Sequence, residues 1–150
     1  MTEASYQKID IATEYLNVAA SFWLSNTNLF SSAHLAGAAE EISGQYCRLK
    51  GLESRRDWWV GYGDRFIGSD VFPEITGKKL ANMVYLPKNS IKHMNTSDFD
   101  STVAMDIEEV SSNLIRAAFF NFETLELCGL LGDEVYEVIK KTTIYLDPNS

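Results

Sequence analysis

Two histidines and two cysteines in 150 residues leave little from which a metal centre or a disulfide framework is built. Cys47 and Cys128 fall in apolar helical patterns without the C-x-x-C spacing of a redox or zinc motif, which points to buried free thiols. Neither His34 nor His93 has a Glu three residues before it, so the Glu-x-x-His pairs of a di-iron bundle are missing. His34 and Glu41 share a helix face seven residues apart and, with His93, outline a mononuclear site. A lone helical His more often satisfies a local bond, so no metal and no other cofactor is assigned. The chain also lacks G-x-S-x-G, the P-loop and G-x-G-x-x-G, which removes the common serine-hydrolase and nucleotide-binding motifs. No run approaches the roughly 20 apolar residues of a spanning helix. Glu3 and Asp10 stand where a secretory signal would carry cations, so no membrane partner and a cytoplasmic location are expected.

Positive charge is scarce except in one place. The net charge of −8 argues against a general nucleic-acid binder, because affinity for phosphate backbones grows with the number of cations that displace counterions. Residues 1–47, however, carry −4, residues 48–93 carry +4 and residues 94–150 carry −8. The basic third also holds many of the aromatics, so contact with an anion belongs there; lysines that only solvate a loop are the plainer reading.

What is present is helical periodicity. Ile9, Ala12, Leu16, Ala19, Ala20 and Trp23 predict a helix from Tyr6 to about Ser25. Ser25-Asn26-Thr27-Asn28 supplies turn and cap chemistry, and a second helix is predicted from Leu29 to Lys50 with Gly51 as its stop. Ala33, Ala36, Gly37, Ala38 and Ala39 let another helix approach closely. Residues 52–76, with Arg55, Trp58, Trp59 and Pro73, read as a long irregular loop of functional interest. A helix is predicted from Gly77 to Tyr85 with a break near Leu86, because Pro87 suits a first turn better than a helix middle. Met94 to Asp100 reads as a turn, Ser101 to Leu131 as one long helix, and Asp133 as the cap of a last helix reaching Thr143 and Tyr145 before Pro148. The expectation is one all-α domain over residues 1–150, an up-and-down bundle of four to five helices with a long loop between the second and third, folding alone or as a small oligomer.

Lys88-Asn89-Ser90-Ile91-Lys92-His93 is where a histidine sits among cations with no acid close in sequence. On a helix Asn89 shares a face with His93 and Lys88 with Lys92, offering an amide, an imidazole and two ammonium groups. Asn89 and His93 bonding backbone at a helix junction is the bland alternative. Glu40 and Glu41 are adjacent, about 100° apart on their helix, so one faces inward; either both are solvated or one reaches the Lys88–His93 segment and orients a cation. Trp58 and Trp59, beside Arg55, are candidates to stack on bases or to anchor the loop.

These features, namely the segment His34-Leu-Ala-Gly-Ala-Ala-Glu-Glu-Ile42, the Lys88–His93 run, Asp106 and Ile115-Arg-Ala-Ala-Phe-Phe-Asn121, resemble a group of bacterial helical proteins similar in turn to the HEPN superfamily. The resemblance covers roughly residues 30–130. It implies a dimeric bundle of four or five helices whose catalytic members carry Arg, four to six residues, then His, commonly with a polar residue after the Arg. Asn89 fills the polar place and His93 the His, while Lys88 stands where Arg is expected. Lysine is a hydrated point charge and lacks the planar fork of arginine. The resemblance implies metal-independent RNA cleavage by the ribose 2′-hydroxyl, as in a toxin of a stress or defence system with an antitoxin or other protein partner. His93 would move protons, Lys88 and Lys92 would stabilise charge on phosphorus, and Asn89 would position the phosphate. The rival expectation is a non-catalytic dimeric module whose aromatic segment, Trp58 to Phe72, and acidic second half engage a protein or small ligand.

Overall fold

A computed structural model describes residues 2–67, 76–92 and 102–143. Among them are six α-helices and no strand: α1 Lys8–Leu24, α2 Leu29–Leu49, α3 Arg55–Tyr62, α4 Gly77–Ser90, α5 Ile107–Thr124 and α6 Asp133–Thr142. The all-α class follows from the 3.6-residue apolar spacing. The expected positions of His93, Phe72, Pro73, the Met94–Asp100 turn, Tyr145 and Pro148 lie outside the described residues.

Helix α2 packs against both α1 and α5, and its composition explains how. Its buried face is Ser32, Ala33, Ala36, Gly37, Ala39, Glu40, Ser43, Gly44 and Cys47, so the neighbouring helices approach its backbone. Ser32 Oγ donates to the Ala19 carbonyl at 2.7 Å and Ser111 Oγ to the Leu29 carbonyl at 2.9 Å, tying the start of α2 to α1 and α5. The larger core side chains come from the flanking helices, chiefly Leu16, Ile115, Phe122, Val135 and Val138, each contributing about 1.5–3 kcal/mol by leaving water.

Three expectations change. The segment taken as a loop contains α3, which continues into one π-helical turn, Gly63–Ile67. Its start is an N-cap: buried Ser54 accepts from the Asp57 amide, its hydroxyl donates to Asp57 Oδ2 at 2.8 Å, and Arg48 pairs with the same carboxylate at 3.1 Å. Helix α4 runs through Pro87 instead of breaking near Leu86. The carbonyl that Pro87 leaves without an intrahelical donor belongs to Met83, which is exposed, so water can serve it. The long helix predicted from Ser101 to Leu131 is α5 alone. Asp106 caps its start by accepting from the Glu109 amide. Glu126, at φ 58°, closes its end while the Leu127 amide returns to the Phe122 carbonyl at 2.9 Å. A short 3-10 turn, Cys128–Leu130, follows.

Helices α3 and α4 meet at Gly77. A Cβ there would collide with the Val60 carbonyl oxygen, so only glycine permits this approach, and the Gly77 amide donates to Asp64 Oδ1 at 2.7 Å. Both thiols are free; Cys47 is buried but Cys128 only half-buried, a correction for the second. Burial pushes both thiols above their ordinary pKa, which makes them weak nucleophiles.

Candidate functional site between α2, α3, α4 and α5

The buried residues of α4 are Gly77, Ala81, Tyr85 and Lys88, a stripe at four-, four- and three-residue steps. Lys88 thus sits on the inward face. It is 7% exposed, and its Nζ lies 2.8 Å from Glu40 Oε2 and 3.7 Å from Glu41 Oε2. Glu40 is 3% exposed, whereas the Glu41 side chain faces solvent. The Lys88 stem lies over Gly37, where a Cβ would stand 3.4 Å from Lys88 Cβ and Cδ, in ordinary contact. Two ions withdrawn from water cost several kcal/mol each unless each meets the other, so the pair is a tightly specified contact between α2 and α4.

The expected shared face of Lys88 and Lys92 does not form. Helix α4 stops at Ser90, and Lys92 lies in the following turn, exposed, its amide donating to the Asn89 carbonyl at 3.1 Å. Asn89 is exposed. With Glu41, Arg48 and Arg56 it edges a polar groove of about 200 Å³ that ends on Lys88. Arg48 is held by Asp57, and Arg56 donates to Asn82 Oδ1 at 2.9 Å. His93, the centre of the sequence argument, lies outside the described residues.

On the other side of Lys88 the aromatic residues gather. The Arg55 guanidinium lies 4.4 Å from the Trp58 ring, 5.4 Å from Trp59 and 4.7 Å from Phe120. Trp58 stacks on Tyr62 at 5.2 Å and meets Trp59 edge-on at 5.1 Å. These rings spend much of their surface on one another and on Arg55, which anchors α3. No carboxylate pairs with Arg55 among the described residues. Burial lowers its pKa, and the charge of nearby Arg116 lowers it further. Arg55 and Arg116 line one end of a cavity of about 450 Å³ between α3, α4 and α5, whose walls include Trp59, Val84, Tyr85 and Leu114.

Asn121 joins these parts, and sequence reasoning gave it no role. Fully buried, it accepts the Arg55 amide at 2.7 Å and donates to the Glu40 carbonyl at 3.1 Å and to Ser43 Oγ at 3.2 Å. An amide inside the apolar stripe Ala117, Ala118, Phe122 was the available signal, since a buried polar group must find partners. Tyr85 and Arg116 carried no such signal. Among the described residues no group of three or more His, Cys, Asp or Glu is placed to hold a metal ion, and no helix is long and apolar enough to cross a membrane. Compared with family models, with curated proteins and with solved structures, the chain matches none of them.

Proposed function

We propose that the chain is a HEPN-like helical protein, an up-and-down bundle paired with a second copy, that acts on single-stranded RNA through the run ending at His93. The supporting observation is how the start of that run is fixed. Glu40 clamps Lys88 from beneath, so Asn89 is presented on a groove edged by Arg48 and Arg56, and Lys92 in the following turn is exposed to solvent. An ammonium already paired at 2.8 Å brings no net charge to a phosphate, so Lys88 acts as a positioning residue. Phosphate contact falls to Lys92 and to Arg56, whose hydrogen-bond partner Asn82 is neutral, and His93 moves the proton of the attacking 2′-hydroxyl. Met83 and Leu86, 66% and 62% exposed on α4, offer apolar surface to the second copy. The test is incubation of purified protein with single-stranded RNA in chelator. Cleavage that His93→Ala abolishes supports the reading, and RNA left intact by a large molar excess of protein overturns it.

A second reading, a non-catalytic module that binds a small ligand, is favoured by a separate observation. The cavity on the far side of Lys88 is lined by a cation without an acidic partner among the described residues.

A further inference from the structure

The cavity between α3, α4 and α5 has the size of an ordinary ligand pocket and is lined by Arg55, Arg116 and Tyr85, donors whose hydrogen-bonding capacity is not filled among the described residues. Arg55 stacks on three rings, which covers its face and leaves its N–H edge; that edge has no acceptor among the described residues. Arg116 is exposed, and its one side-chain hydrogen bond among the described residues runs from Nη1 to the Thr142 carbonyl at 3.0 Å. Arg55 and Arg116 together line this cavity and a neighbouring one, two like charges whose repulsion a bridging anion would relieve. Tyr85 is 1% exposed, lines the same cavity, and its hydroxyl has no hydrogen-bond partner among the described residues. A buried hydroxyl with no partner is uncommon and costly.

From these observations we infer that the cavity binds a small organic anion, a flat apolar body ending in a carboxylate or a phosphate. Arg55, Arg116 and Tyr85 take the anionic head. Trp59, Val84, Leu114 and Ala117 enclose the body. Burial pushes the Tyr85 phenol well above its ordinary pKa, so it stays protonated and donates. Asp106 and Glu109 also line the cavity, at the start of α5, and Arg116 shares a neighbouring pocket with them, so charge directs the anionic head toward Arg55, whose helix α3 adds no acid to the cavity lining. This deepens the ligand-binding reading and is independent of the RNA reading.

The test is calorimetric titration of the full chain with 1-naphthoate, 1-naphthyl phosphate and the neutral 1-naphthylmethanol. Saturable binding of one or both anions is expected, with the tighter one naming the head group and the alcohol about tenfold weaker or worse. Arg116→Gln, at an exposed position, is expected to weaken the anion about tenfold, and Tyr85→Phe, which keeps the ring, several-fold. Neither residue belongs to the Lys88–His93 run, so RNA cleavage is unchanged in both. If the alcohol binds as tightly as the anions, or Arg116→Gln binds like the parent, the anion assignment is overturned while a ligand cavity stands. If none of the three saturates, the ligand-binding reading is overturned with it.

Discussion

Lys88 and Arg55 are long cationic side chains that line one cavity from α4 and α3, yet their surroundings are opposite. Lys88 is sealed and meets a buried carboxylate at 2.8 Å. Arg55 is half-buried on three aromatic rings with no acid in reach among the described residues. A buried charge whose partner is built into the fold is spent on holding that fold together, whereas one supported by rings and left unpaired keeps its charge for something else. In this molecule the cation that the sequence places in a catalytic run is the one paired with a buried carboxylate, and the cation placed in a supposed loop is the one without an acidic partner among the described residues.

The largest expected effect tests the Lys88 side. Glu40→Gln removes the buried carboxylate and leaves the Lys88 ammonium only the solvent-facing Glu41 at 3.7 Å, costing about 3–5 kcal/mol in urea denaturation, while Glu40→Gln with Lys88→Met recovers most of it. A single-variant cost under about 1 kcal/mol would mean that Lys88 turns out to solvent, and the contrast would dissolve. Asn121→Ala comes next. It leaves the Arg55 amide without its acceptor and Ser43 Oγ without a donor, costing about 1–3 kcal/mol, and tryptophan emission from Trp58 and Trp59 should report release of α3 before global unfolding. Tyr85→Phe runs the other way. It removes an unpartnered buried hydroxyl, so thermal melting should show a gain of about 1 kcal/mol alongside weaker anion binding; loss of stability instead would reveal a partner for the hydroxyl.

The smallest effect is a pH dependence at the start of α3. Burial alone would raise the Asp57 pKa, but hydrogen bonds from Arg48 and Ser54 outweigh it and hold the carboxyl below its ordinary range. A carboxyl depressed in the folded state stabilises above its unfolded pKa and loses that contribution as pH falls through the folded one. Loosening of α3 is therefore expected below about pH 4. Because the pair is well exposed, the change stays under about 1 kcal/mol, and Asp57→Asn should flatten it.

How much of this was readable from sequence depends on distance along the chain. Helices α1 and α2 follow from apolar spacing, and Gly37 among small residues announced a close approach. Helix α3 was hidden by its eight-residue length and by arginines and tryptophans that read as loop chemistry, although Ser54-x-x-Asp57 is a capping signal. The end of α5 depends on Glu126 adopting a left-handed conformation, which glutamate rarely does, so periodicity ran past it. Adjacent Glu40 and Glu41 had to point apart, but which one faces inward depends on α4 lying over Gly37. Arg55 and Arg116 are joined only by tertiary packing, and no local pattern carries that.

The most direct measurement is nitrogen-15 NMR of the arginine and lysine side chains during titration with 1-naphthyl phosphate. Saturable shifts at Arg55 Nε and Arg116 Nε with an unmoved Lys88 Nζ are the expected result. Movement of Lys88 Nζ with both arginines still would contradict the account.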